Sequence, residues 1–371
     1  MNDGRIRVLV LYGGRSSEHS ISCVSAGSIL SALDRSRFDP VPVGITRDGA
    51  WVGHHGDPER MVIRDGILPD IDPAGDTAAL SLDPAQPGVW FETAEGRVLE
   101  RIDVVFPVLH GPNGEDGTIQ GLFEIAGLPY VGSGVLASAA CMDKAATKKL
   151  LAAASIPAGE WHTFPHSEWG PATAHAEVVA GLGWPVFVKP TRAGSSMGVS
   201  KVHGPDQMDR AVAHAGEHDT HVIVEAGVEQ AREIECGVLV GVDGIPRASV
   251  CAEIRVRSQH EFYDFEAKYL DDSADLIVPA ELDEASVDQV RGMALRSFRA
   301  LGCEGLARVD FFVESDGSVS VNEINTMPGF TSISMYPRMW QASGIGYTDL
   351  ISTLIGEALS RAGTAIPSRT S

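Results

Sequence analysis

The stretch from Gly305 to Asn325 constrains the fold more than any other part of the chain. Its two halves, Gly305–Glu314 and Ser318–Asn325, alternate apolar and polar residues, the period of strands with one buried face. Between them, Asp316-Gly317 reads as a two-residue turn of the kind that requires φ > 0. That turn sets Ser315 opposite Ser318, and hence Asp310 opposite Glu323 and Arg308 opposite Asn325. Side chains alternate along a strand, so these four project to one side, and Phe312 shares the face of Asp310. Two carboxylates directly opposed on a sheet repel. A divalent cation removes the repulsion, and an Asp, Glu and Asn oxygen set suits magnesium better than zinc. Magnesium with few protein ligands usually shares its shell with nucleotide phosphates. A solvated charged face is the plain alternative.

At 371 residues the chain is long enough for two or three domains. Its net charge of −21, from 29 basic and 50 acidic residues, makes it a poor partner for nucleic acid or an anionic membrane. Cys23, Cys141, Cys236, Cys251 and Cys303 are scattered and form no CxxC pair. They read as buried reduced thiols of a cytosolic protein. The apolar run Ile6–Tyr12 is too short for a secretory signal and reads as a buried strand, and no segment is long enough to span a bilayer.

Strand, glycine-bearing loop and helix recur along the first part of the chain. IRVLVLY precedes a helix near Ile21–Leu33, PVPVGIT follows, and Ile102–Leu109 leads through Gly111–Gly117 into a helix near Ile119–Ala126. This is the pattern of a parallel α/β sheet with sites at the strand C-terminal ends. The Gly-, Pro- and Asp-rich residues 48–96 read as a surface excursion with short hairpin pieces. A single helix near Ser138–Ala154 bridges to a segment holding the strands WPVFVKP and HVIVEA. The last segment carries REIECGVLV, ASVCAEI, the hairpin and a helix near Thr348–Arg361.

Several loops carry candidate chemistry. Lys189 ends a strand and precedes Gly194-Ser195-Ser196-Met197-Gly198, a turn open enough for backbone N–H groups to approach a phosphate; a plain turn is the alternative. It is neither GxGxxG nor a Walker A loop. Glu18 follows a Gly-Gly turn, and is either a first-turn helix residue or a ligand for a substrate ammonium. His110 closes a buried strand, as a catalytic group or a satisfied core histidine. Glu225 and Glu233 flank a junction where ligand clefts form, Glu225 to meet an adenine amino group and Glu233 a ribose hydroxyl; by sequence alone they read first as solvated linker carboxylates. Phe312 is either a platform under a base or core packing. Residues 262–274, aromatic and charged without periodicity, have the character of a lid.

Taken together, GGRSSEHSIS, LHGPNGEDGTIQG, GSGVLASAACMDK, VKPTRAGSSMGVSK, FYDFEAKY, ARVDFF and NEINTMPGFTSIS resemble, in order and over nearly the whole chain, the D-alanine–D-alanine ligases of the ATP-grasp superfamily. The resemblance implies an α/β, overall α+β, three-domain ATP-grasp fold: an N-terminal parallel-sheet domain over 1–137, a central subdomain over 138–227 and a C-terminal subdomain over 228–371. It implies ATP between the last two. Lys144, Lys189 and Ser196 would hold phosphates, and Glu225, Val228, Glu233 and Phe312 the nucleoside. Asp310, Glu323 and Asn325 would hold two Mg²⁺, or Mn²⁺. Glu18, Ser195 and Tyr269 would orient the first D-alanine, and Arg308 with the Gly329 backbone would stabilise the oxyanion. Lys268 and Ser334 would lie near the γ-phosphate and the second D-alanine carboxylate, with His110 and Met335 also in the substrate site. A cytoplasmic homodimer acting in peptidoglycan synthesis is implied too.

One departure concerns the hinge: many relatives carry Lys where this chain has Ala226. D-alanine–D-lactate ligases typically follow the lid lysine with a histidine-bearing sequence, so Tyr269 favours an amine as second nucleophile. Another ATP-grasp carboxylate–amine ligase would lack GGRSSE and LHGPNGEDGT together. A nucleotide sensor without turnover would lack metal ligands or Arg308. A dinucleotide oxidoreductase would carry GxGxxG.

Overall fold

The structure, a computed structural model, describes residues 4–53, 61–64, 66–170, 172–228, 230–256 and 274–363. Its first strand, β1 (Ile6–Gly13), is buried on both sides. Val8, Val10 and Tyr12 enter one core while Leu9 and Leu11 enter another, as the central strand of a covered sheet requires. Helix α1 (His19–Ala32) carries the chain back to β2 (Phe38–Ile45), which pairs parallel with β1. The excursion expected between 48 and 96 is instead part of the sheet. β3 (Trp51–Gly53), β4 (Asp76–Leu80), β5 (Gly88–Thr93) and β6 (Gly96–Arg101) add on antiparallel, and Ala78, Val89 and Phe91 are core residues. Loop-like composition hid strands that are short and half-exposed. β7 (Val104–Val108) completes the seven-stranded order β6-β5-β4-β3-β2-β1-β7, parallel only across β2, β1 and β7.

After α2 (Thr118–Ala126) the bridging helix is two helices, α3 (Val135–Met142) and α4 (Lys144–Ala153). Asp143 breaks them: its backbone is extended and its carboxylate accepts the Ala146 N–H at 2.9 Å, an N-cap that competes successfully with helix continuation. Lys144 thereby becomes the first residue of α4. A four-stranded antiparallel sheet follows, built from β8 (Trp161–Pro165), β9 (Val186–Pro190), β10 (Ser200–Val202) and β11 (His221–Ala226), with α5 (Ala174–Gly181) and α6 (Met208–Gly216) against it. The third sheet has the order β14-β13-β12-β15-β16. Its strands are β12 (Arg232–Val240), β13 (Pro246–Val256), β14 (Ala274–Ile277), β15 (Leu306–Val313) and β16 (Val319–Asn325). Helix α7 (Glu284–Ala300) covers one face, joined there by residues of α3 and α4. The chain ends in α8 (Met335–Ala342) and α9 (Tyr347–Arg361).

One core runs across the molecule. It gathers Val8, Val10, Phe106 and Ile29 from the first sheet and its helix with Leu239, Leu306, Tyr336 and Trp340, and with Leu350, Ile351, Leu354, Ile355 and Ala358 of α9. Phe330 sits in it with no exposed surface. It meets Phe106 edge-on at 5.8 Å and contacts the rings of Tyr336 and Tyr347. Truncation should leave a cavity that three aromatic neighbours cannot collapse into. Phe330→Ala is expected to cost about 3–5 kcal/mol of stability, read from urea midpoints; a loss below about 1 kcal/mol would show that the ring is not a fixed part of the core.

Candidate active site

The hairpin delivers the expected pairing by a different route. Glu314 N–H donates to Ser318 O at 2.9 Å and Gly317 N–H to Glu314 O at 3.0 Å, so the loop is the three residues Ser315-Asp316-Gly317. Gly317 has φ +87°, and the Asp316 side chain accepts the Ser318 N–H. That turn alone would shift the register by one residue. An irregularity between Asp310 and Phe311 restores it, by letting Asn322 bulge out of the ladder. Asp310 then faces Glu323, and Arg308 faces Asn325. The Arg308 guanidinium binds Asp310 through two bonds of 2.7 Å and reaches Glu235 of β12 at 3.2 Å. Burial opposes its charge, but Asp310 and Glu235 outweigh burial and hold it protonated. The Asn325 amide lies 3.1 Å from Asp310 Oδ2 and 3.5 Å from Glu323 Oε1, so the three oxygen-bearing groups converge.

Above this face lies the loop after β9. Ser195 and Ser196 both have positive φ, +48° and +57°, a strained backbone for residues with a Cβ, and Gly198 follows at +71°. Ser195 Oγ donates to Glu18 Oε1 at 2.5 Å across 177 residues of sequence. Glu18 is the N-cap residue of α1 but its side chain makes no cap bond, so the first-turn reading gives way to this long-range contact. The root of the loop is pinned twice. Lys144 Nζ donates to Ala193 O at 2.7 Å. Asp219, a residue that sequence reasoning missed, accepts from Thr191 Oγ1 at 2.6 Å, from the Arg192 N–H at 2.9 Å and from Arg192 Nη2 at 2.6 Å.

Glu225 is not a solvated linker residue. It is the penultimate residue of β11, with 7% exposure, and binds Lys189 at 2.6 Å and Lys148 at 3.1 Å. Burial alone would raise its pKa, yet the two ammonium groups hold it down at about 2. Lys148 also escaped notice; its i,i+4 spacing from Lys144 on one helix face was the available signal. Ala226, Gly227, Val228, Glu233 and Phe312 line the same cleft, and Phe312 faces Glu233 across β15 and β12. His110 is buried, with Nδ1 3.1 Å from Met327 O and Nε2 3.3 Å from Ser25 Oγ. A carbonyl can only accept, so Nδ1 carries the proton. Burial lowers the His110 pKa against the pull of Glu18, keeping the ring neutral. Ser334 Oγ is 2.7 Å from Thr331 Oγ1, and a Cβ on Gly329 would approach it at 3.3 Å. Met335 is buried against the cleft. Lys268 and Tyr269 lie outside the described residues.

The cleft has a volume of about 810 Å³, and takes in Glu18, His110, Lys144, Lys189, Ser195, Arg308, Asp310, Glu323 and Asn325 together. That is room for a nucleotide and small substrates. These sheets, with a hairpin of oxygen ligands under a serine loop, define an ATP-grasp enzyme. Sequence profiles of the D-ala D-ala ligase N-terminus and C-terminus match residues 7–133 and 150–356. A D-alanine–D-alanine ligase of Rhodococcus erythropolis is 55% identical over 99% of this chain and all of its own length; that of Nocardia farcinica is 56% identical over 98% and 99%. Among solved structures, the VanG D-Ala:D-Ser ligase of Enterococcus faecalis superposes with a TM-score of 0.84 at 37% identity, covering 95% of this chain and 99% of that one. The D-alanine–D-alanine ligase of Coxiella burnetii gives 0.81 at 34%, covering 97% and 95%. The chain belongs to the D-alanine–D-alanine ligase family.

Glu115, on the cleft wall, is a further group outside the expected set. Burial, then repulsion from Glu18, pushes its pKa up to about 8, while it accepts the Gly111 N–H at 2.7 Å. An unfolded glutamate ionises near 4.3. Between those values the folded chain holds a proton on Glu115 that the unfolded chain has lost, so the contribution of this group to stability falls as pH rises from about 4.5 to about 8. Glu115→Gln should remove that loss. In urea titrations the variant is expected to gain on the parent between pH ~5 and pH ~8; a pH-independent difference would refute the shift.

Proposed function

We propose that this chain joins two D-alanine molecules into D-alanyl-D-alanine, a peptidoglycan precursor, with ATP converted to ADP and phosphate through a D-alanyl phosphate. The observation that carries this reading is that the Glu18–Ser195 contact and the Arg308–Asp310–Glu323–Asn325 face open into one cleft. The first is a carboxylate and hydroxyl suited to an amino acid, the second a face suited to a polyphosphate.

The donor set fits magnesium. Asp310, Glu323 and Asn325 are oxygen donors that converge, and three carboxyl groups, Glu235, Asp310 and Glu323, surround the one guanidinium of Arg308. Two Mg²⁺ held there would neutralise charge on the phosphate oxygens. Lys144, Lys189 and the backbone of Ser195 and Ser196 grip the phosphates, and Glu225 sets the position of Lys189. Its carboxylate is engaged by lysines, so the adenine is left to Val228, Glu233, Phe312 and the hinge backbone. Glu18 and Ser195, with Tyr269, hold the first D-alanine by its ammonium group. Its carboxylate attacks the γ-phosphate, and the amine of the second D-alanine then attacks the acyl carbonyl and expels phosphate. Arg308 and the Gly329 backbone stabilise the oxyanion. Ser334 and Lys268 hold the second carboxylate, with Met335 and neutral His110 shaping the pocket. We assign domains to 1–137, 138–227 and 228–371, in line with the three sheets. A cytoplasmic homodimer follows from the family, and five buried free cysteines accord with that compartment. No helix among the described residues is long and apolar enough to cross a membrane.

The test is phosphate release from ATP and Mg²⁺ with D-alanine, L-alanine, or D-alanine plus D-lactate, with products identified by mass. D-alanyl-D-alanine formed only with D-alanine is the expected result; release with another acid or amine alone would sink the substrate assignment. Arg308→Ala is expected to lower kcat by roughly 10²–10³. Glu323→Ala should abolish turnover with loss of Mg²⁺-dependent ATP binding in calorimetry; wild-type ATP affinity there would show that Glu323 is not a metal ligand.

A further inference from the structure

Next to the serine loop, but not among the residues that line the cleft, three metal-ligating side chains of the α6 terminus converge. The nitrogen and oxygen ligand atoms of His214, Glu217 and His218 all lie within 4.8 Å of one another. The backbone sets this up. The helical turn continues past Gly216, with Glu217 N–H donating to His214 O at 3.3 Å and His218 N–H to Ala215 O at 3.1 Å. That places the two imidazoles one turn apart on a single face. Their rings meet edge to face at 5.6 Å, and His214 Nδ1 is 3.7 Å from Glu217 Oε2. All three are exposed, so their side chains can close the last ångström around an ion.

His218 also touches the loop. A Cβ built on Gly198 would lie 2.6 Å from His218 Cδ2, so the ring is packed flush against the glycine that ends the serine turn. The next residue, Asp219, is the carboxylate that pins Thr191 and Arg192 at the start of that turn. The segment 214–219 therefore carries a ligand cluster at one end and holds both ends of the loop at the other.

We propose that His214, Glu217 and His218 form a site for a transition-metal dication of the zinc class, distinct from the magnesium face, whose occupancy stiffens the serine loop. Two imidazoles and one carboxylate suit Zn²⁺, Ni²⁺ and Cu²⁺, and are poor ligands for Mg²⁺, which demands oxygen. Positions left open are filled by water. The site does not depend on the reaction assigned above, and its test reads no activity.

Calorimetric titration of the nucleotide-free chain with zinc chloride, in excess magnesium at about pH 7.5, should show one equivalent bound. His214→Ala should weaken that binding by at least about 10-fold. His175→Ala, at a separate histidine pair with His162, should leave it intact. Cu²⁺ should bind more tightly than Ni²⁺ or Zn²⁺. Zinc should slow amide hydrogen exchange over residues 195–199 in the parent chain and not in His214→Ala. Because His218 rather than His214 packs against Gly198, this variant removes a ligand and spares that packing. Unchanged zinc binding in His214→Ala would overturn the site. Zinc binding with unaltered exchange over 195–199 would overturn its link to the loop.

Discussion

The pairing of β15 with β12 on one side and β16 on the other organises the site. Two antiparallel ladders bring Glu235, Arg308, Asp310, Glu323 and Asn325 onto one face, from the β15–β16 hairpin and from β12, which lies far earlier in the sequence. Carboxyl groups placed so closely would disrupt a sheet unless something opposed them. Arg308 does so from within the strand, two residues before the aspartate it grips. The apolar residues that alternate with this set, Val309, Phe311 and Val321, are buried on the opposite side under α7. The face therefore cannot rotate away to relieve its charge. A rigid face of this charge is what the metal-bound polyphosphate proposed above would need.

Opposite it, the serine loop shows a second kind of constraint. Non-glycine residues at positive φ persist only where their surroundings over-determine them. Here Glu18 takes the Ser195 hydroxyl, Lys144 and Asp219 fix the incoming chain, and His218 fills the space behind Gly198. Those anchors come from three different parts of the sequence, with His218 and Asp219 supplying the third together.

Much of this was legible beforehand. The alternation along β15 and β16 gave the face, and the Asp310–Glu323 pairing was correct although its reasoning was not. A turn one residue longer than expected and a bulge at Asn322 cancel. Local sequence could signal neither, because Asp-Gly serves both turn lengths and the bulge is set by pairing. The strands between 51 and 101 were hidden by turn-rich composition, since their burial comes from lateral addition to a sheet begun elsewhere. Asp143 inside an apparently helical run was a readable N-cap signal that a longer helical pattern masked. Glu225 and Asp219 could not be read as buried ionic groups, and Lys148 offered only its i,i+4 spacing from Lys144. Their surroundings exist only once β9, β11 and α4 have met.

The core shared by β1, β7 and α9 has a consequence for synthesis. Residues of α9 leave the ribosome long after β1 and β7, yet Ile351, Leu354, Ile355 and Ala358 share one apolar core with Val8, Val10 and Phe106. At roughly 5–20 residues per second, that surface waits on the order of tens of seconds for its lid of helix. The first sheet can form its hydrogen bonds during that interval but cannot close its core. A nascent chain of this protein therefore carries that apolar surface uncovered until α9 has been made.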